Sequence, residues 1–280
     1  MTNRLWKIGD RTADLSRRGM IMGVLNVTPD SFSDGNEFFE PGAAVEQGAQ
    51  MELEGADIID VGGESTRPGA EPVSVDEELR RVIPVIEKLR AKVSIPISID
   101  TSKARVASAA LDAGAAIIND VTSGRADKEM FSLAATRKTA VVLMHMQGEP
   151  RTMQKNPHYG DVVHEVADFF RQQYSRAIEC DVDPMAIAFD PGIGFGKTLE
   201  HNLALLKNLD QLRGHDRPIV IGVSRKSFLG KLIGSNQMGA RLAPTIAMTS
   251  LLRVWGADVV RVHDVKENVA ALRIAEAMLP

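Results

Sequence analysis

Asp60, Asp100, Asn119 and Asp190 each stand directly behind a short apolar run. Side by side, carboxylates and amides can pair with the donor-rich edge of a flat nitrogen heterocycle. A second set suits an anion: Arg67, Arg261 and His263, together with the backbone N–H groups of the stretch Gly62-Gly63-Glu64-Ser65-Thr66-Arg67-Pro68-Gly69. Guanidinium forks and clustered amides bind phosphate or pyrophosphate. Asn26 adds a neutral oxygen, which can ligate Mg²⁺ when a diphosphate supplies the other oxygens. Met144 and Phe195 can sandwich a ring, and Lys226 can meet a ring carbonyl.

Something must bring these residues to one place. Eight apolar runs recur along the chain: Met20–Leu25, Ile58–Val61, Ile95–Ile99, Ala115–Ile118, Ala140–Met144, Met185–Phe189, Pro218–Val223 and Asp258–Val262. They are rich in Val and Ile and short enough to be parallel strands buried on both faces. Helical patterns lie between them. Leu79, Val82, Ile83, Ile86 and Leu89 share one face, although Pro84 would strain that helix. Val106, Ala109, Ala110 and Ala113 form another face, as do Val163, Val166, Phe169 and Phe170, and later Val269, Leu272, Ile274 and Ala275. Gly55, Gly114 and Gly256 stand where left-handed helix stops are needed.

Eight strands alternating with helices predict an α/β chain folded as a (β/α)8 TIM barrel, one domain over residues 1–280. A doubly wound open sheet competes, but no dinucleotide fingerprint follows the first strand. In a barrel, the strand ends meet at one mouth, and that is where this chain keeps its ionisable groups. A lone Asp after a strand is ordinarily a turn former. Eight strand ends that all carry polar or ionisable groups are not explained in that way.

Composition narrows the function. The net charge of −4 gives no basic field for nucleic acid. Cys180 is the only cysteine, which excludes an intrachain disulfide and a cysteine-rich metal cluster. The first nineteen residues hold only isolated apolar residues and no stretch approaches a membrane span, so a cytoplasmic protein acting on small molecules is expected.

The motifs "MGVLNVTPDSFSDG", "IIDVGGESTRPG", "SIDTSK", "IIND", "LMHMQG", "FDPGIGFGKT", "SRKS" and "VRVHDV" together resemble the dihydropteroate synthase family, in order, from about Met20 to Val265. The resemblance implies a transferase of folate biosynthesis that is a sulfonamide target, uses Mg²⁺ and forms a homodimer. It would join 4-aminobenzoate to 6-hydroxymethyl-7,8-dihydropterin diphosphate. By position, the pterin would meet Asp60, Asp100, Asn119, Met144, Asp190, Lys226 and Arg261. Diphosphate would meet Asn26, Thr66, Arg67, Arg261 and His263, with Asn26 on the metal. The aminobenzoate site would draw on Phe32, Thr66, Pro68, Phe195, Lys226 and Ser227. Asp100, Lys226, Arg261 and His263 would carry the chemistry. The polar run after Asn26, with Phe32, Ser33 and Asp34, reads as an active-site lid. Two positions depart from the family's usual pattern: Asn36, and Pro244 in "RLAPTIA".

Overall fold

Residues two apart on a strand share a face, and this period sorts the barrel's strands into an outer and an inner set. The computed structural model describes residues 4–28, 41–65, 70–148 and 152–279. Its strands are β1 (Leu5–Ile8), β2 (Arg11–Asp14), β3 (Met20–Asn26), β4 (Ile58–Gly62), β5 (Ile97–Asp100), β6 (Ile117–Asp120), β7 (Ala140–Met144), β8 (Ile187–Asp190), β9 (Val220–Gly222) and β10 (Val259–Val262). The last eight form one parallel sheet in the order β8-β7-β6-β5-β4-β3-β10-β9. The ends of that sheet meet: Phe189 N–H donates to the Pro218 carbonyl at 2.9 Å, and Phe189 bridges Ile219 in parallel. The eight expected runs are thus the eight strands of a (β/α)8 barrel.

Outward residues such as Ile59, Val61, Ile99, Leu143, Ile221 and Val260 pack against helices in one large core. Inward residues Met22, Ile58, Ile117, Ala140, Val142, Ala188, Val220 and Val259 form a second core inside the barrel. Two residues further along the same strands, the inner face changes character. Ile58 leads to Asp60, Ile117 to Asn119, Val142 to Met144, Ala188 to Asp190 and Val259 to Arg261. The apolar layer therefore serves as the floor of a polar layer that faces the mouth.

The floor has a plug. β1 and β2 form an antiparallel hairpin around Gly9-Asp10, with Gly9 at φ +56° as a two-residue turn requires. Trp6 is fully buried in the inner core with Ile8 and Leu15, and its indole N–H donates to the Ala186 carbonyl at 3.0 Å. The sequence pattern announces no element over the first nineteen residues. Their four-residue strands are short and diluted by charge, which hides the alternation. Trp6→Ala is expected to cost about 3–5 kcal/mol by opening a cavity under the barrel. Urea unfolding of the variant checks this, and an unchanged midpoint would refute the plug.

Helix Val75–Arg90 runs unbroken through Pro84, so the proline does not end the helix. Gly55, Gly114 and Gly256 adopt φ of +97°, +112° and +100°, as expected of helix stops. Pro244 is the third residue of helix Leu242–Val254, a first-turn position that needs no intrahelical N–H. One helical face requires correction. Ile274 is 67% exposed and points away from the core that Leu272 and Ala275 enter. Asn36 lies outside the described residues.

Candidate active site

The polar layer is tied together by Arg261. Its Nε donates to Asp60 Oδ2 at 2.6 Å and its Nη2 to Asp100 Oδ2 at 2.8 Å. Asn119 Nδ2 donates to the same Asp60 oxygen at 3.0 Å. Asp60 is fully buried, and its Oδ1 has no hydrogen-bond partner. Burial opposes charge on Arg261, but Asp60 and Asp100 outweigh it and hold the guanidinium above its ordinary range. Asp100 does not benefit equally. Burial pushes its carboxyl up to about 7 against the pull of Arg261, and Asp60 adds repulsion.

Across the mouth, Asp190 accepts from Gly192 N–H at 2.7 Å. Burial raises its carboxyl, and the Lys226 ammonium counters this. Lys226 donates to the Ile193 carbonyl and lies 4.8 Å from the Phe195 ring centroid. Burial pulls its ammonium down to about 8, with Asp190 opposing. Met144 joins Val121, Met146 and Met153 in an apolar wall, against which Phe195 packs. These walls and charges line one small cavity, formed by Asp100, Asn119, Met144, Asp190, Lys226 and Arg261 among others. A wider groove of about 420 Å³, partly open to solvent, lies near Gln154, Thr198, Glu200 and Lys231. It holds none of the acidic set, so the chemistry is placed in the smaller cavity.

Asn26 and His263 stand at the carboxyl ends of β3 and β10, which are neighbours in the sheet. The His263 ring Nδ1 is 3.0 Å from Ser224 Oγ, which also accepts from His263 N–H. Ser227 is exposed at the start of helix Ser227–Leu232. Of the predicted site residues, the structure therefore gathers Asp100, Asn119, Met144, Asp190, Phe195, Lys226 and Arg261 around one cavity, with Asp60 buried behind Arg261 and Asn119. Asn26, Ser227 and His263 stand at strand ends around the mouth. Phe32, Thr66, Arg67 and Pro68, like the proposed lid residues Ser33 and Asp34, lie outside the described residues.

The sequence reading missed two clamps. Lys197 is 3% exposed and donates to the Gly192 and Phe195 carbonyls, both at 3.0 Å. Its Nζ also lies 2.9 Å from His145 Nδ1. Burial lowers the Lys197 amine well below its usual value, and presses the His145 imidazole down to about 2, so that ring is neutral. Gly192, Gly194 and Gly196 all have positive φ, which lets this loop curl around the amine. A Cβ at Gly192 would overlap the His145 carbonyl oxygen. The signal for this clamp was the alternating glycines ending in a lysine. The second clamp is Lys103, which bonds Glu64 and the buried Glu78, the latter at 2.5 Å. Glu64 Oε1 in turn accepts from Val73 N–H at 3.1 Å. Nothing in the sequence spacing announces that triad.

Residues 22–263 match the family model described as pterin binding enzyme. A dihydropteroate synthase of Synechocystis sp. is 45% identical over 271 residues, covering 97% of this chain and 94% of that protein. The crystal structure of the Xanthomonas albilineans dihydropteroate synthase with 4-aminobenzoic acid superposes with a TM-score of 0.92 at 43% identity, over 100% of both chains. The Yersinia pestis dihydropteroate synthase in complex with a sulfonamide drug superposes with a TM-score of 0.91 at 42% identity, over 98% of each chain.

Proposed function

The chain belongs to the pterin binding enzyme family, and from that premise we propose that it is a transferase making 7,8-dihydropteroate. It joins 4-aminobenzoate to 6-hydroxymethyl-7,8-dihydropterin diphosphate and releases diphosphate, a step of folate biosynthesis. The observation that carries this reading is the acidic layer of Asp60, Asp100, Asn119 and Asp190, bridged by Arg261 and walled by Met144. Adjacent carboxylate and amide oxygens match the amino and ring N–H groups of a pterin edge. The unpartnered Oδ1 of Asp60 is a further acceptor in that layer. Lys226 supplies a strong donor beside them, suited to the pterin carbonyl.

The reaction breaks the bond from the pterin's exocyclic carbon to the diphosphate oxygen and forms a bond from that carbon to the amine nitrogen. The amine loses one proton. An aromatic amine is a weak nucleophile, so a dissociative path, in which the carbon–oxygen bond opens first, is favoured. The carbon left behind is then a cation delocalised over the pterin. Asp100 and Asp190, one on each side of the cavity, face it with negative charge. On this reading Arg261 and His263, at the end of β10, would take the leaving diphosphate. Holding both substrates in place supplies much of the remaining acceleration, up to about 7–11 kcal/mol in well-oriented cases. The test is an assay of diphosphate release. Release that requires both the pterin diphosphate and 4-aminobenzoate supports the assignment; release with the pterin substrate alone refutes it. A sulfonamide, which has the same aniline body, should compete with 4-aminobenzoate in that assay.

Mg²⁺ fits this site through a diphosphate complex. Among the described residues no group of three or more His, Cys, Asp or Glu side chains could hold a metal ion. Asn26 at the mouth offers one neutral oxygen, and Mg²⁺ commonly takes one or two protein oxygens with the rest from phosphate and water. When bound, the ion would neutralise charge on the departing diphosphate. Calorimetric titration should therefore find weak Mg²⁺ binding to the free protein and much stronger binding with diphosphate present. Tight binding without diphosphate would place the metal elsewhere.

The chain also has a surface suited to a homodimer. Helix Leu242–Val254 exposes Ala243, Ala247, Leu251 and Val254, and helix Val265–Ala277 exposes Ala270, Ile274 and Ala277, followed by Met278. The two helices are tied by Thr249 Oγ1 to Asn268 Oδ1 at 2.6 Å and by Ser250 Oγ to the Ala271 carbonyl at 3.0 Å. Two adjacent uncharged stripes make a continuous apolar face of the kind homodimers bury. Light scattering should give a dimer mass that Ile274→Glu converts to a monomer. No described helix is long and apolar enough to cross a membrane.

A further inference from the structure

We propose that Lys197 is a positioning residue that sets Phe195 for the second substrate. The inference rests on the reading above and extends it to a residue that touches neither substrate.

The loop from Gly192 to Gly196 joins Lys197 to Lys226. On the cavity side, Lys226 meets this loop twice, donating to the Ile193 carbonyl and lying against the Phe195 ring. On the far side, the Lys197 amine gathers the Gly192 and Phe195 carbonyls and rests on His145 at the end of β7. These acceptors belong to the two residues that flank Ile193-Gly194 and to the strand beneath them. The amine therefore fixes both ends of the segment that carries Phe195. Tyr159 adds a hydroxyl to the Gly196 carbonyl at 2.9 Å, and Asn202 accepts from Gly194 N–H at 2.8 Å.

A buried amine is an expensive way to fill space, because a long polar side chain must be desolvated and ordered. Its return is directional. Carbonyls turned inward by left-handed glycines need donors, and Lys197 supplies them from one point. Asp60, Asp100, Asn119 and Arg261 bond one another and not this loop, whose contacts with the pterin set are confined to Gly192 N–H on Asp190 and the Ile193 carbonyl on Lys226. Loosening the loop should therefore disturb the amine side of the cavity more than the pterin floor.

The experiment compares Lys197→Met, Lys197→Gln, Phe195→Leu and the double variant Lys197→Met/Phe195→Leu. It measures kcat and KM for both substrates, and the Kd of the pterin diphosphate by calorimetry without the amine. Lys197→Met is expected to raise the KM for 4-aminobenzoate about ten- to hundredfold, with the pterin Kd within about threefold of the starting protein. Lys197→Gln keeps two N–H donors and should recover part of the loss. The double variant should be no worse than its more damaged parent, since both substitutions remove one function. Additive losses, or a pterin Kd that rises in step with the amine KM, would overturn the proposal. So would failure of both Lys197 variants to fold, which would assign the residue to stability alone. If the starting protein does not bind the pterin diphosphate, the functional reading itself fails, and that result is separate from any behaviour of Lys197.

Discussion

Replacing Arg261 with Met is expected to remove about 3–5 kcal/mol of stability and to lower kcat/KM by about 10³-fold or more. The guanidinium bonds Asp60 and Asp100 through different nitrogens, and both carboxylates are buried. Met fills a similar volume without charge, so two carboxylates would face each other with no cation between them. Part of the loss would be relieved by protonating one of them, and that would remove the negative charge the pterin cation needs. Lysine is not an adequate substitute at this position, because an ammonium is a point charge and cannot span two carboxylates as a planar fork does. Arg261→Lys should therefore retain more stability than Arg261→Met while remaining poorly active. Urea unfolding and steady-state kinetics on both variants check the pair of claims. A Met variant as stable as the parent, or a Lys variant with full activity, would show that the bridge is not the organising contact.

The barrel was legible because its signals are repeated. Eight apolar runs and three helix-stopping glycines each restate the same architecture, and one polar residue at position i+2 past an inward apolar residue marks the mouth. Asp60, Asn119, Asp190 and Arg261 could be found by that rule alone, since a strand fixes which face a side chain takes. What could not be read is pairing that depends on where the loops go. That Arg261 reaches across to both Asp60 and Asp100 is a property of the closed ring, as these residues come from β10, β4 and β5. Lys197 could not be picked out either, because nothing local shows that glycine-bent carbonyls converge on its amine. Trp6 sits among charges in the sequence and becomes a core residue only when the hairpin folds under the barrel. Ile274 failed in the opposite sense. Its spacing fits an apolar face, but helix Val265–Ala277 carries apolar residues on more than one side, and periodicity cannot say which side meets the core.

Asp100→Asn is expected to lower kcat by about 10²–10³-fold while changing pterin affinity much less. Asn keeps the size of the side chain and an acceptor oxygen, so the ground-state contacts to a pterin are largely preserved. It loses the negative charge, which matters most when the exocyclic carbon becomes cationic. An interaction made mainly in the transition state lowers kcat and kcat/KM together. The pH profile gives an independent check. Burial holds the Asp100 carboxyl at about 7, above the usual carboxylate value. Burial also holds the Lys226 ammonium at about 8, below the usual amine value. The active form has Asp100 ionised and Lys226 charged. Activity should then rise as pH climbs through about 7 and decline as it passes about 8, so kcat/KM traces a narrow bell set by the free enzyme. The same shift acts on stability with a definite sign. A carboxyl raised in the folded state binds its proton more tightly there, so its contribution is fully present below about pH 4 and is lost as pH climbs through about 7. Asp100→Asn should erase both the acidic limb of the kcat/KM profile and this pH-dependent loss of stability. A variant with normal kcat and only a raised pterin KM would reduce Asp100 to a binding contact. An acidic limb that survives the substitution would move the titrating group to Asp190, the other buried carboxyl raised within the same cavity.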